Sequence, residues 1–335
     1  MRDRLPSSPP FGTLLALLAV VLLGTGCERP VTLDPHGSNA HQTAQIAWVL
    51  FGGGGIIFVL VVALAAHALL AKPARRAWLS RQGFVIGAGL VFPIVTLTAL
   101  LFYTLKVSGE LTGAKDAAPL KIEIVGEMWW WRIHYIDTAG KTLVVTANEV
   151  HIPVGRPIEF SLKSADVLHS FWVPQLAGKL DLIPGRVNVL RLKADRPGVF
   201  RGQCAEYCGA QHAKMAFHVV AQAEPEFEAW LAAQQLPAVT LPEPGLKRGM
   251  SLFIAHCAAC HTVRGTPAAG LSGPDLTHVG SRLALASGTL PNSAGTIAGW
   301  IAASQHLKPE NKMPSFERFT GEELHALAAY VASLQ

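Results

Sequence analysis

The chain has 335 residues, enough for about two domains of about 150 residues each if all of it folds in water. Composition argues against that condition: 15% of residues are charged and 50% hydrophobic, against about 25% charged in soluble domains, so part of the chain sits in a membrane. The net charge of +5 is spread along the chain, which gives nucleic-acid binding little support, while 13 His, 5 Cys and 5 Met can build transition-metal sites.

Residues 11–23 are apolar or small and follow Arg2 and Arg4. This run is too short to cross a bilayer and has the length of a signal-peptide core. Gly24-Thr25-Gly26 before Cys27 resembles a bacterial lipoprotein processing site, with Cys27 as the lipidated first mature residue, although the leucine stands four before the cysteine, at Leu23. Ordinary cleavage nearby and an uncleaved third span are the other readings. Residues 1–26 are thus expected to be a signal peptide and 27–45 an extracytoplasmic segment.

Residues 46–71 and 84–107 carry no carboxylate and are long enough, at about 1.5 Å per residue, to span about 30 Å of hydrocarbon. The connection at 72–83 holds Lys72, Arg75, Arg76 and Arg81 without an acid, so it is placed in the cytoplasm and both ends of the hairpin outside. Gly52 to Gly55 are expected to allow close helix contact, Pro93 to kink the second span, and His67 to serve packing and not ligation.

From 108 to 235 the pattern is one of short strands, singled out at 121–125, 141–147, 158–162, 188–193 and 215–220, which reads as an antiparallel β-sandwich or barrel. A helix at 224–235 closes it. Pro237, Pro242 and Pro244 make 236–245 a stiff linker. Residues 246–335 turn helical, with helices expected at 247–256 and 299–305. The capping box Thr320-Gly321-Glu322-Glu323 precedes Leu324, Leu327, Ala328, Val331 and Leu334 on one face.

Four cysteines remain beyond Cys27. Outside the cytoplasm the default is two local disulfides, but the neighbours of each pair argue otherwise. Cys257-Ala258-Ala259-Cys260-His261 is the pattern of covalent haem attachment, with two thiols for the vinyl groups and His261 as proximal ligand. Met313 is the candidate sixth ligand, with His278 and His306 as rivals. Met313-Pro314 before the final helix and Gly273-Pro274-Asp275-Leu276 make this region resemble class I cytochrome c. In the other pair, Cys204, Cys208, His212 and Met215 fall within twelve residues, and His169 follows Asp166-Val167-Leu168 about 35 residues earlier. This soft set suits copper or zinc. A structural zinc site has no use for Met215, whereas Cys, His and Met on one loop of a sandwich is the cupredoxin arrangement.

The Cys-x-Glu-x-Cys-x-x-x-His-x-x-Met and Asp-Val-x-His-Ser runs together resemble subunit II of haem–copper cytochrome c oxidases, in the caa3-type form that carries a fused cytochrome c. The resemblance covers the hairpin, sandwich and haem domain. It implies a multidomain membrane protein: a two-helix transmembrane hairpin, an all-β cupredoxin-like sandwich and a small all-α class I cytochrome c domain. It also implies a binuclear copper centre, CuA, bridged by Cys204 and Cys208. His169 and Met215 complete one copper, and His212 and the backbone carbonyl of Glu206 the other, while the Glu206 carboxylate reaches a magnesium ion at the border with subunit I. Trp129, in Gly126-Glu127-Met128-Trp129-Trp130-Trp131, matches the residue through which electrons enter. Trp130 and Trp131 read better as strand packing or an interfacial belt. The run from Lys179 to Arg186 matches a segment facing subunit I.

The implied partners are subunit I and subunit III, a donor such as cytochrome c or a cytochrome bc complex, and membrane lipid; the implied place is a bacterial inner membrane, with both soluble domains periplasmic. Oxygen is reduced in subunit I, since a six-coordinate haem leaves no oxygen site on this chain. Relatives with a proton path carry a glutamate at the start of the second span; 84–107 has none, so a proton-entry role is not expected. A quinol oxidase subunit II would lack the copper ligands, nitrous oxide reductase needs a second histidine-rich domain, and a copper-handling lipoprotein leaves the haem motif unexplained.

Overall fold

The computed structural model describes residues 32–113, 119–238 and 243–335. The expected signal peptide, Cys27 and residues 239–242 of the expected linker lie outside the described residues.

The first apolar run is a single helix, α1 (Ser38–Leu70), which starts at Ser38 and not at 46. Its first turns are pinned to the sandwich. His36 N–H donates to Gln175 O at 2.7 Å and Asp195 N–H to His36 O at 2.8 Å, while Ala40 and Ala44 are buried. Gly37 lies so close that a Cβ would meet Leu176 O at 2.5 Å, so no larger residue fits there.

The second span runs over Gln82–Gly109. It is a turn of α-helix (Gln82–Ile86), a π segment (Gly87–Val91) and then α2 (Phe92–Gly113). Pro93 has no N–H to donate, and the hydrogen-bond register slips just before it, with Phe92 N–H bonded to Gly87 O. The expected kink is therefore a π-bulge on the N-terminal side of the proline. The connection is not a plain loop but holds short helices at Pro73–Arg76 and Ala77–Ser80. His67 packs there, with Nε2 3.3 Å from Arg75 O and its ring 6.2 Å from that of Trp78. A Cβ on any of Gly52 to Gly55 would have no neighbour within 4 Å, so among the described residues of this chain they make no close helix contact.

Among the described residues, ten strands of the middle domain form two sheets of five. The first has the order β3-β2-β1-β5-β8 and comprises β1 (Leu120–Glu127), β2 (Trp130–Ile136), β3 (Thr142–Ala147), β5 (Ile158–Ser164) and β8 (Asn188–Leu192). The second has the order β4-β10-β9-β6-β7 and comprises β4 (Glu149–Pro153), β6 (His169–Trp172), β7 (Leu180–Leu182), β9 (Gly198–Cys204) and β10 (Ala216–Gln222). Alternate residues point inward, among them Ile122, Ile124, Ile133, Phe160, Phe171 and Phe217, and bury one core between the sheets. The all-antiparallel expectation is corrected, because β1 pairs parallel with β5 and β4 parallel with β10; the chain crosses between sheets instead of running as a meander. Helix α3 (Glu224–Gln235) seats Phe227 in this core.

The C-terminal domain holds α4 (Pro244–His256), a two-stranded hairpin of β11 (Ala284–Leu285) and β12 (Leu290–Pro291), α5 (Ala294–Leu307) and α6 (Gly321–Ala332). Pro244, read as linker, opens α4, where its missing N–H costs nothing. Thr320 Oγ1 accepts from Glu323 N–H at 3.3 Å, and Glu323 Oε2 accepts from Thr320 N–H at 3.0 Å, so the capping box forms. Leu327, Ala328, Val331 and Leu334 are buried. The fold class is thus the expected one: two apolar helices, a cupredoxin-like sandwich and a small helical domain.

Candidate metal and haem sites

The loop between β9 and β10 carries most of the sulfur and imidazole. Cys204 N–H donates to Met215 O at 2.8 Å, which closes the loop on itself. β6 runs antiparallel to β9, with Phe171 opposite Cys204, and this pairing brings His169 to the same place. Cys204 Sγ lies 3.7 Å from Cys208 Sγ, 4.0 Å from His169 Nδ1 and 3.2 Å from Glu206 O. Cys208 Sγ lies 3.7 Å from His212 Nδ1 and 3.8 Å from Met215 Sδ. Both thiols are free and buried, so the disulfide alternative is not adopted.

Two thiols this close cannot both ionise unaided. A hydrogen bond from Cys208 pushes Cys204 down to about 3, and the negative sulfur that results pushes Cys208 up. A cation seated between them relieves the conflict, because both thiolates then face positive charge. The donor set of two thiolates, two imidazoles, a thioether and a carbonyl therefore fits a transition metal.

His169 is oriented from behind. Its Nε2–H donates to Asp166 Oδ1 at 2.8 Å, which leaves Nδ1 facing Cys204. Asp166 also accepts from the N–H groups of Met128 and Val167, each at 2.8 Å. Burial raises its carboxyl, but these hydrogen bonds outweigh burial and the net shift is downward. Gly126 leaves the room: a Cβ there would sit 2.9 Å from His169 Cδ2. The carboxylate of Glu206 lies 3.5 Å from Lys179 Nζ. Trp129 is buried, and its Nε1–H donates to Cys208 O at 2.8 Å. Gly209, at φ 110°, clears space for that indole. Trp131 is a core residue packed on Phe171 and Phe217, and Trp130 lies under Arg132.

In the C-terminal domain α4 ends at the first thiol, with Cys257 as its C-cap, and His261 N–H donates back to Cys257 O at 3.0 Å. Burial pushes Cys257 up to about 11, while Cys260 is exposed. His261 Nδ1–H donates to Pro274 O at 2.8 Å, leaving Nε2 as the free nitrogen. Gly273 is the cradle, since a Cβ would lie 2.7 Å from His261 Cε1. Met313 is held by its backbone: its carbonyl accepts from Ser304 Oγ–H and Gln305 Nε2–H, and its N–H donates to Asn311 Oδ1. His278 turns Nε2 to Leu236 O at 3.1 Å, and His306 is exposed. Two thiols, an oriented imidazole and a methionine held by its backbone fit a covalently bound haem.

Sequence reasoning missed Asp166 as a partner of His169, the Pro274 carbonyl, and Lys308, which bonds to Trp129 O at 2.9 Å. Only Asp166 left a trace, three residues ahead of the histidine.

The family model for the periplasmic domain of cytochrome c oxidase subunit II matches residues 134–223, and that for cytochrome c matches 246–335. Cytochrome c oxidase subunit 2 of Alkalihalophilus pseudofirmus is 34% identical over 96% of this chain and 96% of its own. That of Bacillus sp. (strain PS3) is 31% identical over 73% of this chain and 72% of its own. Quinol oxidase subunit 2 of Bacillus spizizenii is 30% identical over 68% of this chain and 74% of its own.

Proposed function

Because the chain belongs to the cytochrome c oxidase subunit 2 family, and carries a cytochrome c domain behind its copper domain, we propose that it is the electron-relay subunit of a caa3-type oxidase. Electrons from cytochrome c or a cytochrome bc complex pass through the haem domain and Trp129 to the copper site, and on to subunit I, where oxygen is reduced and protons are pumped. The observation that carries this reading is the convergence of His169, Cys204, Cys208, His212 and Met215 beneath Trp129, whose indole N–H touches the Cys208 carbonyl.

Cys204, Cys208, His169, His212, Met215 and the Glu206 carbonyl would hold the copper centre, which would supply reversible one-electron chemistry there. The loop's part is to stay still. Asp166 fixes the tautomer of His169, and the Cys204–Met215 backbone bond keeps the loop ends together, so little must reorganise when charge changes. Cys257, Cys260, His261 and Met313 would hold haem c; the engagement of His278 with Leu236 O and the exposure of His306 favour Met313 as sixth ligand. The Glu206 side chain is 37% exposed and so open to a magnesium ion at the border with subunit I. The apolar helices, with open glycines at 52 to 55, suit packing against subunits I and III and lipid in a bacterial inner membrane, both soluble domains lying in the periplasm.

A quinol oxidase reading, prompted by the quinol oxidase relatives, has no use for a buried thiol pair or a haem motif. The test is Cys208→Ser in the purified complex. The haem spectrum is expected to persist and the near-infrared band of a mixed-valence copper pair to vanish; survival of that band refutes the assignment.

A further inference from the structure

The haem domain meets the sandwich at several points, among them Leu271 O, which accepts from Arg132 at 2.8 Å, and Lys312, 3.9 Å from Asp166; two segments reach the surroundings of Trp129 and the copper loop. The first is the tip of the β11–β12 hairpin, where Ala286 and Ser287 hold φ of 50° and 61°. Residues with a Cβ keep this left-handed conformation only where contacts impose it. Here the sandwich supplies those contacts. Ala216 N–H donates to Ser287 O at 3.1 Å, Ser287 Oγ–H donates to Asn148 Oδ1 at 3.0 Å, and Leu283 N–H donates to Glu149 Oε2 at 2.7 Å.

The second segment follows α5. Lys308 is 3% exposed. Its ammonium donates to Trp129 O at 2.9 Å, Lys214 O at 3.0 Å and Ala286 O at 3.3 Å, so all three donors are satisfied by three separate segments. Beside it, Gln211 Nε2–H donates to Pro309 O at 2.9 Å and Lys214 Nζ–H to Leu307 O at 2.7 Å. Burial, with Lys214 close by, pushes the Lys308 ammonium down to about 7. An amine this deep stays only because carbonyls replace its water.

We propose that Lys308 and the hairpin tip at Ala286 and Ser287 form an intrachain latch that seats the haem domain over Trp129. The latch closes Trp129 to soluble electron carriers and confines its donor to the haem on the same chain. Lys308 is a positioning residue: it ties the Trp129 backbone, the copper loop one residue before Met215 and the haem domain at a single point. The inference rests on the electron-relay reading for what passes through Trp129, while the latch itself rests on the contacts alone.

The experiment compares the intact oxidase with its Lys308→Met and Ala286→Gly variants by hydrogen exchange at the Ala216 and Leu283 amides. Haem absorbance and the Val219 amide, inside the sheet, report folding. Lys308→Met is expected to speed exchange at both interface amides by about tenfold without moving Val219, the scale of one lost buried hydrogen-bonded contact. Ala286→Gly is expected to slow it by about fivefold, because glycine takes the left-handed turn freely. If Lys308→Met loses its haem domain, Lys308→Gln, which keeps two donors, takes its place with an intermediate effect expected. Unchanged exchange in the lysine variant, or faster exchange in Ala286→Gly, overturns the latch. Direct reduction of copper by soluble cytochrome c, ahead of the haem, is expected in Lys308→Met alone; seeing it in the wild type also overturns it. Photoinduced haem-to-copper transfer in the same samples separates the two readings: faster exchange with an unaltered transfer rate keeps the latch and removes the route through Trp129.

Discussion

Asp166 carries more of the copper loop's geometry than its position beside a histidine suggests. It accepts from His169 Nε2–H, from Met128 N–H and from Val167 N–H. Asp166→Asn would set an amide N–H against one of these donors and free the His169 ring, so copper retained per haem is expected to fall about tenfold to a hundredfold in affinity, measured by competition with a chelator. Met313→Ala should lower the haem potential in a redox titration; an unmoved potential would return the sixth position to His278 or His306. The sulfur and imidazole set was legible because the chemistry is compressed into twelve residues, 204–215, with His169 the single distant member. Its supports were not. Lys308 is one of 28 basic residues, and nothing local to it announces that it will be buried on the Trp129 carbonyl.

Among the elements, the crossing of α4 and α6 sets the haem domain. A Cβ on Gly249 would meet Ala326 O at 2.1 Å and Tyr330 Cβ at 2.6 Å, backbone and rigid stem with no room to give. Gly249→Ala should therefore wedge the helices apart and cost about 1 to 3 kcal/mol, seen as a lower melting temperature of the haem absorbance with the copper bands unmoved. Helix α6 was readable, since a capping box and a spaced apolar face are local signals and both formed. The strands were half readable. β1 alternates and was visible, but β4 is buried at every position and β6 has only four residues, so neither shows a period of two. Parallel pairing of β1 with β5 is decided by how the chain crosses between sheets, which no short window contains. The π-bulge lay beyond reading for a related reason: Pro93 announces a missing donor but not which neighbour absorbs it.

At the scale of the whole molecule, acid should loosen what the latch holds. Burial raises the Glu149 carboxyl, but hydrogen bonds from His151 and Leu283 N–H, with Arg282 nearby, outweigh it, and its net shift is below 4.5. The His151 bond lies within the sandwich, but Leu283 N–H and Arg282 come from the haem domain, so the part of the depression they supply stabilises docking above the ordinary carboxylate range and is lost as pH falls through the lowered value. Distances between spin labels on the two domains should broaden reversibly below about pH 4.5, and Glu149→Gln, which carries no charge, should lose that acid step. Domain docking was illegible because it joins residues far apart in the chain, Lys308 and Trp129 by 179 positions and Lys214 and Leu307 by 93, largely through backbone carbonyls that no side-chain pattern announces. Helix α1 has a different bearing on the assembly. It leaves the sandwich at Ser38, with Gly37 bridged to Ala194, and runs unbroken to Leu70. The domain is thus mounted on a rod without a joint, its height above the lipid set by helical rise and not by a slack tether. Tilting of the sandwich against the apolar helix is limited to the flexing of that rod, so the stand-off between the thiol-lined site and the apolar stretch is built into the chain.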